Sequence, residues 1–216
     1  MATIHRADLH PSKLDLVAGW LPNQPWYTGP AGDLERVAAC RFDDPAGRVG
    51  IETFLVRHAD GPIVHTPMTY RDAPLPGAEA YLMGTSEHSV LGTRWVYDAC
   101  GDPVYAAAVA AAIHTGAGEA EELTVAEDGT TQSRPPLMTV SGSGIPGTPP
   151  PAVTRIVDVS AGDPSIITTD SVSLAVVRIV HAGREGNGPA LTGRWAALTG
   201  KWAAQATPVT LATVVD

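Results

Sequence analysis

The chain has 216 residues, 44% hydrophobic and 17% charged, a globular composition long enough for one substantial domain or two small ones. Its net charge of −9, with no basic run to offset it, argues against a nucleic-acid partner and against an anionic membrane surface, since both want clustered Lys and Arg. The 22 glycines and 19 prolines point to many turns and short strands.

The opening MATIHRADLHPSK lacks the apolar centre of a secretion signal, and no stretch approaches the roughly 20 apolar residues that a bilayer-spanning helix needs. A cytoplasmic protein is expected. Ser12 to Leu21 reads as a short helix: Ser12 is placed to cap it with Asp15 three residues on, Leu14, Val17 and Leu21 share one face, and Pro22 ends it. Leu34–Phe42, Val49–His58 and Ile63–Tyr70, separated by turn residues, read as a three-strand antiparallel meander. A proline-broken loop follows over 72–77, then strands over Tyr81–Gly84 and Ser89–Tyr97.

The strongest single element comes next. Asp98 to Gly101 reads as a turn, Asp102 as a helix cap, Pro103 as the first helical residue and Gly116 as the stop. Val104 to Ile113 carries no charge on any face, so this helix is expected to be buried and central. Glu119, Glu121 and Glu122 read as a solvated patch, and Leu123–Ala126 and Leu137–Ser141 as strands around Asp128-Gly129. Residues 142–151 form a Gly/Pro-rich loop on composition. The tail reads as strands over Val153–Val159, Val172–His181, Leu191–Trp202 and Val209–Val215, with a mobile-looking GREGNGP between. Leu-Thr-Gly-Arg-Trp195 is echoed by Leu-Thr-Gly-Lys-Trp202, two copies being too few for a repeat architecture. Cys40 and Cys100 are expected as free buried thiols.

The sum is two or three helices and about ten strands, an α+β pattern with an antiparallel sheet packed on a buried central helix. The expected division is an α+β unit over 1–141, the loop 142–151, and a β-rich C-terminal extension over 152–216 that either stands apart or completes the same domain.

Few motifs survive their context. Gly142-Ser-Gly144-Ile-Pro-Gly147 has the letters of a dinucleotide fingerprint, but the prolines after it forbid the helix whose amides would meet the pyrophosphate. Asp8-Leu-His10-Pro resembles the catalytic loop of aminoglycoside-phosphotransferase-like kinases, yet Lys13 stands where a metal-binding Asn belongs, so a flexible N-terminal arm is expected. Gly84 to His88 misses the nucleophile elbow. His58, Asp60 and His65 flank one turn and are a weak metal candidate, with surface strand residues as the plainer reading. No cofactor is expected. Trp20, Asn23, Gln24, Trp26 and Tyr27 offer flat aromatics beside amides, a pattern that can stack on a sugar ring; the alternative is that both tryptophans clamp the first helix to the sheet.

Trp20-Leu-Pro-Asn-Gln-Pro-Trp26-Tyr27 resembles the opening of the N-terminal cap domain of actinobacterial maltokinases, and Pro67-Met-Thr-Tyr70, Val96-Tyr-Asp-Ala99 and the helix opened by Asp102-Pro103 follow in the same order. The resemblance covers residues 10 to 115. It implies a cystatin-like curved sheet and a free-standing cap, with the phosphate and magnesium residues of the kinase portion having no counterpart here. Pro25 stands where the pattern has Arg, and Thr28-Gly29-Pro30 replaces a glycine- and lysine-rich continuation. The function expected is a non-catalytic cap-like binding or regulatory protein with a protein partner in glucan, maltose or trehalose metabolism. Alternatives are a carbohydrate-binding module for maltose-like sugars, or an enzyme on glucan or sugar phosphate with His58, His65 or His88 as acid–base groups. Short strands with open edges suggest a homodimer.

Overall fold

The computed structural model describes residues 2–4, 8–125, 130–181 and 196–215. The Asp128-Gly129 turn, the GREGNGP stretch and the first copy of the internal echo, with Trp195, lie outside the described residues.

β1 (Ala2–Ile4) and β2 (Leu9–His10) precede the first helix. The expected free N-terminal arm is therefore corrected: β1 runs parallel to a later strand, and β2 pairs with the strand that ends at His88. Helix α1 (Lys13–Trp20) starts as its sequence dictates. The Ser12 hydroxyl accepts from the Asp15 amide and the Asp15 carboxylate accepts from the Ser12 amide, a reciprocal capping box. A 3₁₀ turn over Leu21–Asn23 ends it at Pro22.

The meander follows as β3 (Glu35–Phe42), β4 (Gly50–Arg57) and β5 (Ile63–Arg71). β6 (Leu82–His88) and β7 (Gly92–Asp98) form a hairpin. Ser89, expected to open a strand, sits in its turn, where the His88 Nδ1 accepts from the amides of Val90 and Leu91. Asp98 caps a 3₁₀ turn over Ala99–Gly101, and Asp102 accepts from the Val104 amide to start α2 (Pro103–Thr115). Gly116 stops it in the left-handed region at φ 69°.

β8 (Glu122–Val125), β9 (Thr131–Arg134) and β10 (Met138–Gly142) come next. The solvated acidic patch is a second correction. Glu122 is 8% exposed, and the Glu119 carboxylate accepts from the Val140 amide at 2.7 Å. β11 (Ile156–Ser160), β12 (Ser165–Thr169), β13 (Ser173–Val176), β14 (Ile179–Val180), β15 (Ala197–Trp202) and β16 (Gln205–Val215) complete the described chain. Sequence reading missed β9 and β12.

The architecture is largely β and mostly antiparallel, with one sheet curled into a half-barrel and two short helices among the described residues. One sheet runs β2-β6-β7-β5-β4-β3, with β14 paired to the start of β5; another runs β10-β15-β16-β13-β12-β11; a third is β1-β8-β9. Pro67 lies inside β5, where a proline would ordinarily break a ladder. The His65 amide donates to the Arg178 carbonyl on the side of β5 opposite β4, and N–H direction alternates along a strand, so the Pro67 nitrogen also faces away from β4. There β5 changes partner, from β14 at Ile63–Val64 to β7 from Met68 onward, and no bond is lost.

α1 covers one face of the β3–β4–β5 sheet, where Val17, Trp20 and Leu21 meet Ala39, Phe54, Val56 and Met68. No residue of α2 is exposed. Its Tyr105, Val109 and Ile113 join Cys40, Ile51 and Leu55 from the first sheet and Ile167, Leu174, Leu198 and Leu211 from the second in one buried cluster. Cys40 and Cys100 are free and buried. The glycine-rich stretch is packed for close approach. A Cβ on Gly142 would lie 1.9 Å from the Ala112 oxygen, and one on Gly144 would lie 2.0 Å from that of His114. The Gly144 and Ile145 amides donate to the last carbonyls of α2, so the fingerprint letters serve the negative end of a helix, opposite to the end that holds phosphate.

Candidate functional site

Trp20 ends α1, and the 3₁₀ turn after it folds the chain back so that Trp26 meets Trp20 edge-on, ring centroids 6.0 Å apart at 61°. Tyr27 lies edge-on to Trp26 at 6.5 Å. Trp20 is 8% exposed and belongs to the core under α1, so it does clamp the helix. It also forms, with Trp26 and Gln24, one wall of a 230 Å³ cavity.

The opposite wall comes from residues that sequence reading did not select. Asp98 stands at the end of β7, Ser165 at the start of β12, and Arg178 between β13 and β14. Arg178 is 1% exposed. Its Nη2 donates to Asp98 Oδ2 at 2.6 Å, its Nε donates to the Ser165 hydroxyl at 2.8 Å, and its Cζ stands 4.9 Å from the centre of the Trp26 ring. Nη1 is buried without a partner among the described residues. The backbone is fixed as firmly, since the Arg178 amide donates to Asp163 and its carbonyl accepts from His65. Burial works to lower the pKa of Arg178, but the charge and hydrogen bond of Asp98, with smaller help from Cys100 and Tyr105, together raise it and hold the guanidinium charged. Burial pushes the Cys100 thiol beside it up, so this sulfur is no thiolate nucleophile.

The cavity is therefore lined by two indole rings, a guanidinium and a carboxylate, in a site where the fixed charges cancel. Such a lining is chemically suited to a small neutral molecule with a flat apolar face and hydroxyl edges. The other two predicted residues are turned to local tasks. Asn23 is exposed and its amide donates to the Gly19 carbonyl; the Tyr27 hydroxyl donates to that of Pro30. The Gln24 amide donates to the Trp20 carbonyl at 3.3 Å. The signal for Arg178 was present: it is the one charge inside the β-branched run Val172 to Val180.

The histidines are not brought together as a site. His65, expected on the surface, is 2% exposed and its Nδ1 lies 2.8 Å from the Val177 carbonyl; burial lowers its pKa to about 4. His58 is half-buried and Asp60 exposed. Among the described residues no group of three His, Cys, Asp or Glu is placed to share a metal ion. No described helix is long and apolar enough to cross a membrane.

A family model described as the maltokinase N-terminal cap domain matches residues 20–102. The match runs from the last residue of α1 through the meander and the β6–β7 hairpin to the cap of α2, and includes both the Trp20–Tyr27 opening and Asp98. No curated protein matches the chain.

Proposed function

We propose that this maltokinase-cap-like chain is a non-catalytic binding or regulatory protein that works alongside a maltokinase-type partner in maltose, trehalose or α-glucan metabolism. The observation that carries the reading is the match of residues 20–102 to a cap rather than to a catalytic unit. In this reading the meander with α2 against it corresponds to the curved, cystatin-like sheet of the cap. The strands of residues 152–216 complete the same domain, which the buried cluster shared by both large sheets supports. Titrating the purified chain into a maltokinase-type kinase while following maltose phosphorylation tests it. The expected result is a saturable change in KM or kcat; identical rates with a large excess of the chain contradict it.

The Trp26–Arg178 cavity favours a second reading, a sugar-binding module. At 230 Å³ it falls below the roughly 300–1,000 Å³ of pockets for drug-sized ligands, so it suits a single sugar ring rather than a disaccharide. Glucose is expected to quench tryptophan fluorescence in the native chain and not in Trp26→Ala. A flat titration at millimolar sugar would remove this reading.

A further inference from the structure

Six of the chain's 14 cationic side chains line one open groove of 1070 Å³: Lys13, Arg36, Arg41, Arg48, Arg94 and Arg134. Six carboxylates line the same groove, Asp8, Asp43, Asp44, Glu52, Asp72 and Glu122, and two of them are already committed. Asp44 accepts from the amides of Ala46, Arg48 and Val49, each at 2.9 Å. Glu52, 6% exposed on β4, receives on a single oxygen the Lys13 ammonium, the Tyr70 hydroxyl at 3.0 Å and the Arg41 guanidinium at 3.5 Å.

Lys13 and Arg41 thus share one oxygen of one carboxylate. Arg36, exposed on β3, rests its guanidinium 5.2 Å from the Phe54 ring and makes no ion pair among the described residues. These three cations gather around Glu52, with Glu122 also within reach of Arg41 and Lys13, and they act on one another. Burial lowers the pKa of Lys13, and Arg41 and Arg36 push the same way against the opposing pull of Glu52. Burial raises the pKa of Glu122 in the same groove, while Arg41 and Lys13 pull it back down. Like charges held together at the wall of an open groove are stabilised by a mobile anion that enters it.

We propose that this groove binds the phosphoryl group of a small phosphorylated molecule, with Lys13, Arg36 and Arg41 as its donors. Two guanidinium forks beside an ammonium match the several oxygens and double charge of a phosphate monoester better than they match a single carboxylate. The groove is large enough for the organic part of such a molecule, and half-buried Leu14 and buried Phe42 in its lining supply apolar surface. The inference does not rest on the cap reading and holds whether or not a kinase partner exists.

Isothermal titration of the full chain with glycerol 3-phosphate, and with glycerol as the uncharged control, tests it. Glycerol 3-phosphate is expected to bind with a Kd of about 1 mM or tighter, and glycerol to give no heat. Arg36→Gln removes only an exposed cation and should keep the melting temperature; its affinity should fall roughly tenfold. Lys13→Gln should weaken binding at least as much, and Trp26→Ala should leave it unchanged. No heat from glycerol 3-phosphate up to about 10 mM overturns the proposal, as does unchanged affinity in a folded Arg36→Gln.

Discussion

Arg178 places a guanidinium nitrogen 2.6 Å from the Asp98 carboxylate, joining residues 80 positions apart in the sequence at a point closed to solvent. A buried pair of this kind adds little over an apolar replacement, but removing one partner strands the other. Arg178→Met is therefore expected to lose about 3–5 kcal/mol in urea unfolding, because Asp98 is left buried and unpaired. Arg178→Met combined with Asp98→Asn should recover part of that loss. A single variant within about 1 kcal/mol of the native chain would show that the pair is not what holds β7 to the C-terminal strands.

Asp102 has two tasks at once. It caps α2 through the Val104 amide and takes a bidentate pair of hydrogen bonds from Arg71, both at 2.7 Å. Asp102→Ala should cost about 2–4 kcal/mol, more than the roughly 1 kcal/mol of a cap alone, since a partly buried guanidinium also loses its partner. Asp102→Asn, which can still accept at the cap, should cost less. Chemical denaturation of the two variants side by side separates the cap from the ion pair.

His65 makes stability depend on pH. Its pKa is about 4 in the folded chain, against about 6.5 when unfolded, so between those values the unfolded state binds more protons. Stability from this group is complete above about pH 6.5 and falls as the pH drops toward 4, by about 3 kcal/mol in all. Urea midpoints from pH 7 to pH 4.5 should fall more steeply for the native chain than for His65→Asn. Parallel slopes would mean that His65 is not kept neutral by burial.

Two glycines should respond to alanine with opposite signs. Gly142 has the Ala112 carbonyl where a Cβ would go, so Gly142→Ala should cost about 1–3 kcal/mol through displaced backbone. Gly19, inside α1, has nothing within 4 Å of that position. Gly19→Ala should stabilise by about 0.5–1 kcal/mol through helix propensity. Melting temperatures of the two variants check both signs.

What could be read from the sequence was what depends on neighbouring residues. The Ser12–Asp15 box and the Asp102, Pro103 and Gly116 signals act within one or two turns, and both helices stand where those residues put them. β12 escaped notice because its inward positions are Ser165, Ile167 and Thr169, two of them polar, so no apolar alternation marks it. β9 is exposed throughout and carries no pattern at all. Half of the candidate cavity was legible in Trp20, Gln24 and Trp26. The other half arrives from Asp98, Ser165 and Arg178, on segments whose meeting depends on how β12, β13 and β14 close over β5 and β7, and no local spacing encodes that. Glu122 was read as solvated from its acidic neighbours, but its place in β8 turns it into the groove.

The proposed binding role beside a maltokinase-type kinase is tested most directly by sedimentation velocity of the chain mixed with such a kinase. The predicted result is a boundary heavier than either protein, growing with concentration toward a fixed stoichiometry. Two independent boundaries, unchanged from the separate proteins up to about 100 μM, would contradict it.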